Sequence, residues 1–152
     1  MMAGKLILPA LVVAFLLSAT LWAIAALHFY WGAGGIWPAK DERELARSVV
    51  GAPGLSRMPP PLACNLVALA LAGLGVLPFL LVGVVPAVIP SGVLLIIGFG
   101  AALVFLARGY AAYRPEFRRL FPEEPFATRD RRFYAPLCFV IGFSFIFLIL
   151  AG

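Results

Sequence analysis

Four stretches of this chain run for the length of a membrane crossing without a single charged residue. They extend from Leu6 to about Phe29, from Leu62 to about Val85, from Pro90 to Ala107 and from about Tyr134 to Gly152. An α-helix needs about 20 such residues to cross roughly 30 Å of hydrocarbon. Lipid supplies no hydrogen-bond partners, so a spanning segment must be a helix or part of a closed barrel. The alternation that marks barrel strands is missing. The expected fold is therefore all-α: an integral membrane, antiparallel four-transmembrane-helix bundle forming a single domain over residues 1–152. Composition agrees. The chain is 63% hydrophobic and 12% charged, against about 45–50% and about 25% in an ordinary soluble domain.

The first run resembles a signal peptide in its Lys5 and its "AIA" at 23–25. It is longer than the usual h-region of about 7–15 residues, so it is read as a true span. Only "GVVPAVIPSG" separates the second and third runs, which predicts a tight antiparallel hairpin.

Lysine and arginine placement sets the expected orientation. The N-terminal tail has Lys5. The first loop has Lys40, Arg43, Arg47 and Arg57. The third, counted from the helix end, has Arg108, Arg114, Arg118, Arg119, Arg129, Arg131 and Arg132. Loops one and three share a side, so the split is eleven against one. The reading is a multi-pass protein of the bacterial cytoplasmic (inner) membrane, with loops 1 and 3 cytoplasmic and both termini outside. The net charge of +5 is then explained by topology and anionic lipid, not by nucleic acid. Cys64 and Cys138 are too few for a disulfide framework.

Both basic loops show helical patterning. "AKDERELARSVV" (39–50) has acids early and arginines late, as the helix dipole favours, with Leu45, Ala46, Val49 and Val50 on one stripe. "PEFRRLF" (115–121) groups Phe117, Leu120 and Phe121 opposite its arginines. Each is expected to be a short interfacial helix. "APGLSRMPPP" (52–61) holds too much proline to be helical.

Helices in lipid meet through small residues and occasional polar contacts. Ala10, Ala14 and Ser18 line one face of the first span, and Asn65, Ala68, Ala72 and Gly75 one face of the second. Gly98, Ala101, Phe105 and Arg108 do so in the third. Tyr134, Leu137, Ile141 and Ser144 form the expected packing side of the fourth, with its phenylalanines elsewhere.

Given that topology, His28, Asn65, Arg108, Asp130 and Tyr134 fall near one depth at one end of the bundle. Polar groups there are costly unless paired or facing a wet cavity. Trp31, Trp37 and Tyr30 can wall a pocket for a flat or greasy ligand. The candidate ligand-binding set is His28, Trp31, Trp37, Asn65, Arg108, Asp130 and Tyr134, and the candidate catalytic set is His28, Asp130 and Tyr134. Plainer roles compete. Aromatics at helix ends form interfacial belts, Arg108 can snorkel to phosphate, and Asp130 can pair with its arginine neighbours at the surface. Asn65 can join helices, and His28 can make a structural hydrogen bond. One histidine and no CxxC speak against zinc. No cofactor motif occurs, and "GAGG" follows a membrane span rather than a strand. The span interiors carry no carboxylate, which speaks against an ion-coupled pump.

Two stretches carry a resemblance. "LHFYWGAGGIWP" and "FATRDRRFYAPLCFVIG" resemble the bacterial family known as domain of unknown function 3995. The matching residues are His28, Trp31, Gly34, Gly35, Phe126, Asp130, Tyr134, Pro136 and Cys138, while Ala135 stands where that pattern has serine. The resemblance implies four membrane helices, and the family name carries no activity with it. Three functions remain open. One is binding of a lipid or small hydrophobic molecule in a polar, aromatic pocket at the cytoplasmic end. Another is an acid–base enzyme using His28 and Asp130. The third is a structural subunit, as a homo-oligomer or with a membrane partner protein.

Overall fold

The computed structural model describes residues 3–152, with side chains from Ile7 onward. Lys5, the one basic residue counted in the N-terminal tail, has its side chain outside the described residues, as do Met1 and Met2 entirely. Among the described residues there is no strand. Helices α1 (Ala3–Gly32), α3 (Pro61–Leu74), α5 (Ser91–Ala111) and α8 (Ala135–Ala151) form the body. Short helices α2 (Glu42–Val49) and α6 (Pro115–Leu120) lie in loops one and three, as the patterning predicts. Helix α4 (Leu77–Leu81) continues the second crossing. Helix α7 (Phe126–Arg129) and one π-helical turn (Asp130–Tyr134) lead without a break into α8. Four crossings are long and apolar enough for a membrane: Ile7–Gly32, Pro61–Leu81, Ser91–Ala111 and Phe126–Ala151.

Their limits depart from the expected 6–29, 62–85, 90–107 and 134–152, each for a physical reason. The first helix carries on through Tyr30 and Trp31 to Gly32, and the chain turns away at Gly34, whose φ of 90° is a left-handed value that glycine reaches without strain. The second breaks at Gly75–Val76 and ends at Leu81. Pro78 has no amide hydrogen, and its ring collides with the preceding turn. Gly75 is needed there too, because a Cβ at this position would run into the indole of Trp22. The third runs four residues past Ala107 because Arg108 has an ionic partner. The fourth starts at Phe126, eight residues before Tyr134, although "TRDRR" is highly charged. Asp130 is neutralised internally, while Arg129, Arg131 and Arg132 stay exposed.

The bundle is two helix pairs. α1 lies along α3, α5 lies along α8, and the pairs meet chiefly where α1 crosses α8. The tight hairpin expected between the second and third spans is reduced to contact between α4 and α5. The core holds Ala10, Ala14, Leu17 and Leu21 of α1, Ala101 and Ala102 of α5, and Ile141, Phe145 and Leu148 of α8. The stripes of the first three spans face inward, with Ala10, Ala14, Ser18, Ala68, Gly98 and Ala101 all buried. The fourth is corrected. Its packing side is Ala135, Ile141, Gly142, Phe145 and Leu148, while Leu137 is 37% exposed and Ser144 half-buried. Phe145 is completely buried, so one of the phenylalanines set aside for lipid anchors the core.

Both basic loops occupy the same end. Glu123 N–H donates to the Gly51 carbonyl at 3.2 Å, and Arg47 lies 3.4 Å from Glu123. Helix α2 starts with an Asp41 cap, whose carboxylate accepts from Glu44 N–H at 2.7 Å; such caps contribute about 1 kcal/mol. Its apolar stripe packs on the protein, with Leu45 and Ala46 fully buried.

Candidate functional site: an aromatic pocket beside a buried ion cluster

Three elements converge at the arginine-rich end. The last turns of α1 supply Leu27 and Trp31. Trp31 Nε1 donates to the Trp37 carbonyl at 2.9 Å, which folds the connection back across the helix end. Gly35 allows this fold, since a Cβ there would strike the Tyr30 ring. Helix α2 supplies Glu44, Leu45, Ser48 and Val49. The α7–π turn supplies Arg129, Phe133 and Tyr134, and the Tyr134 hydroxyl donates to the Ser48 carbonyl at 3.3 Å. Between them is a cavity of about 440 Å³, within the roughly 300–1,000 Å³ usual for ligand pockets. Its walls are largely apolar and aromatic, with one guanidinium and one carboxylate on the lining.

Beside the pocket is a separate cluster. Asp130 is completely buried. Its Oδ1 accepts from Arg108 Nη2 at 2.7 Å, and its Oδ2 accepts from Arg118 Nη2 at 2.5 Å. Arg118 Nη1 also donates to the Ala127 carbonyl at 2.9 Å. The Phe117 ring lies 4.9 Å from one guanidinium carbon and 5.2 Å from the other. The cluster ties α5, α6 and the start of the fourth crossing together. A π-helical turn begins at Asp130, and such turns are frequent at functional sites. Asp130 therefore does not pair with Arg129, Arg131 or Arg132 at the surface, and Arg108 does not extend alone toward lipid phosphate.

The residues expected at one depth thus separate. Trp31, Trp37 and Tyr134 line the pocket. Arg108 and Asp130 belong to the ion cluster. His28 Nδ1 donates to the Ile24 carbonyl one turn earlier at 2.8 Å, and its ring stacks at a tilt 5.2 Å from Trp31. Asn65 packs against Gly32, where a Cβ would meet its side chain. Among the described residues His28 and Asp130 share neither a hydrogen bond nor an ion pair. Both Asp130 oxygens are occupied by guanidinium, so the acid–base pair is not assembled.

Several lining residues escape a reading by residue type, notably Leu27, Leu45, Ser48, Val49, Arg129 and Phe133. The stripe on α2 was legible. That it turns toward the fourth crossing rather than toward lipid was not. Arg129 and Phe133 stand four apart on a helix that the charge run conceals.

The family model for "Protein of unknown function (DUF3995)" matches residues 21–145, a segment holding every element of the pocket and the ion cluster. The chain belongs to this family. No curated protein and no solved structure matches it. Both stretches behind the resemblance, around His28–Gly35 and Phe126–Cys138, lie within the matched segment. In this DUF3995 protein they form opposite sides of the arginine-rich end.

Proposed function

We propose that this protein binds an amphipathic membrane molecule, a lipid or small hydrophobic compound, at its arginine-rich end. The cavity of about 440 Å³ walled by Trp31, Trp37, Phe133 and Tyr134 carries the proposal. Trp and Tyr suit a site that is apolar on one side and wet on the other. Trp37 is 63% exposed and Phe133 56%. Large apolar surfaces next to a guanidinium fit a ligand with a greasy body and a polar tip. We place this end on the cytoplasmic side of a bacterial inner membrane, because basic loops one and three share it and basic loops are retained inside.

Native mass spectrometry of protein extracted in mild detergent tests the reading. Wild type is expected to keep a lipid-sized adduct through delipidation, and Trp37→Ala and Phe133→Ala to release it. Equal retention by all three proteins would overturn the proposal. The acid–base reading lacks support once Asp130 is held by two arginines. For a structural subunit, the small residues Ala10, Ala14, Ser18, Ala68, Gly98 and Ala101 of the first three spans are buried inside the chain and do not offer a docking face.

A further inference from the structure

A second cavity, of about 140 Å³, lies lower on the same side of the molecule. Val13, Leu17 and Thr20 of α1 line it, facing Leu137, Val140 and Ser144 of α8. The aromatic pocket takes Leu27 and Trp31 from α1, and Phe133 and Tyr134 from the start of the fourth crossing. On α1 these positions follow a helical stripe from Val13 to Trp31. On the fourth crossing Phe133, Leu137, Val140 and Ser144 do the same at steps of four, three and four. The helices are antiparallel, so the stripes face each other. Both cavities therefore lie between α1 and the fourth crossing, the smaller against α8 and the larger against the turns that precede it. At 1.5 Å per residue the two linings are about 4.5 Å apart along the fourth crossing, from Tyr134 to Leu137, and about 10.5 Å apart along α1, from Thr20 to Leu27. Val13 to Trp31 spans about 27 Å by the same measure. The seam opens sideways: Leu16 is 58% exposed and Val140 62%. Behind it Leu17, Leu21, Ile141 and Phe145 are buried, which closes the route into the bundle.

Among the residues lining the two cavities, charge is placed at one end only. Arg129 lines the upper cavity and has no ion pair among the described residues. The lining also carries one carboxylate, Glu44, which keeps its negative charge while accepting the Lys40 backbone N–H at 2.9 Å. Arg131 and Arg132 are exposed on the same π turn.

We propose that the occupant is a long-chain anionic amphiphile that enters sideways from the bilayer. Its chain lies along the α1–α8 seam and its anionic head sits against Arg129 in the aromatic pocket. This rests on the pocket reading above and adds the class of ligand, its direction and its route.

The test uses the full chain in maltoside detergent and native mass spectrometry, with hexadecyl phosphate, hexyl phosphate and hexadecanol as probes. Wild type is expected to form a saturable one-to-one adduct with hexadecyl phosphate at concentrations at least about tenfold below those needed for the other two. Val140→Trp and Leu16→Trp narrow the seam from opposite lips, at exposed positions. Both are expected to bring hexadecyl phosphate down to the level of hexyl phosphate and to leave hexyl phosphate unchanged, which also reports that the pocket is intact. Arg129→Gln is expected to erase the preference for hexadecyl phosphate over hexadecanol. Chain-length independence in wild type, or seam variants that bind hexadecyl phosphate like wild type, would overturn the seam and leave the pocket standing. No saturable adduct with any probe, or identical binding by Trp37→Ala, would overturn the pocket reading itself.

Discussion

Helix α8 has two neighbours and meets them in opposite ways. Toward α5 it is closely fitted. A Cβ on Gly142 would sit 2.7 Å from Leu106 Cγ and 3.1 Å from the Ala102 carbonyl, and one on Gly109 would sit 3.1 Å from the Ala135 carbonyl. The Asp130–Arg108–Arg118 cluster locks the end of this seam. Toward α1, helix α8 touches through Ile141, Phe145 and Leu148 but leaves one cavity along its outer edge, with a second beside the turns that precede it. Lipid tails are as apolar as leucine, so helices in a membrane gain from close fit rather than from hydrophobic exclusion. A seam without that fit forgoes dispersion contacts, and an apolar chain from the bilayer can restore them. On the reading proposed above, one seam is built for permanence and the other for exchange.

The contrast can be broken by mutation, and the largest effect is expected at the ion cluster. Asp130→Ala leaves two guanidinium groups without their carboxylate; their side chains are 34% and 18% exposed, so the cost falls at the lower end of the about 3–5 kcal/mol for breaking a buried pair. Unfolding of the detergent-solubilised protein should show the loss, and a cost under 1 kcal/mol would mean that the cluster does not lock the α5–α8 seam. Next comes Gly142→Leu, which forces a large side chain into Leu106 and costs about 1–3 kcal/mol by overpacking. Trp37→Ala reverses the pattern. It should leave stability within about 0.5 kcal/mol, as exposed substitutions do, while weakening retention of an amphipathic ligand about tenfold, equivalent to about 1.4 kcal/mol. Val140→Phe, on the open seam, is expected to change stability least, again within about 0.5 kcal/mol. If Val140→Phe proved as costly as Gly142→Leu in the same assay, the two seams would not differ as described.

Much of the architecture was legible from residue order. Charge-free runs gave four crossings because the length of hydrocarbon to be crossed is set by the bilayer, not by the rest of the protein. The stripes on the first three spans gave their inward faces because small residues are what allow backbones to approach. The acids-first, arginines-last order of 39–50 gave α2. The fourth span misled on both counts. "TRDRR" looks like a loop unless Arg108 and Arg118 are known to lie opposite Asp130, and Phe145 looks lipid-facing until the bundle closes over it. Pro78 could have announced the break in the second crossing, since the missing amide is a local property.

The candidate site was legible in part for the same reason. Trp31, Trp37 and Tyr134 were found because aromatic residues at a span end carry a recognisable signature. His28, Asn65, Arg108 and Asp130 were expected at one depth, but depth does not specify azimuth around the bundle. His28 turns to its own helix, Asn65 to Gly32, and Asp130 to two arginines that lie 22 and 12 residues away in the chain. Sequence alone determined that this chain can cross a membrane four times and that its charge gathers in two loops, because helix length and charge placement answer to the bilayer. Which polar groups meet, and which seam stays open, was decided only by tertiary structure, because those depend on how helices distant in sequence rotate against one another.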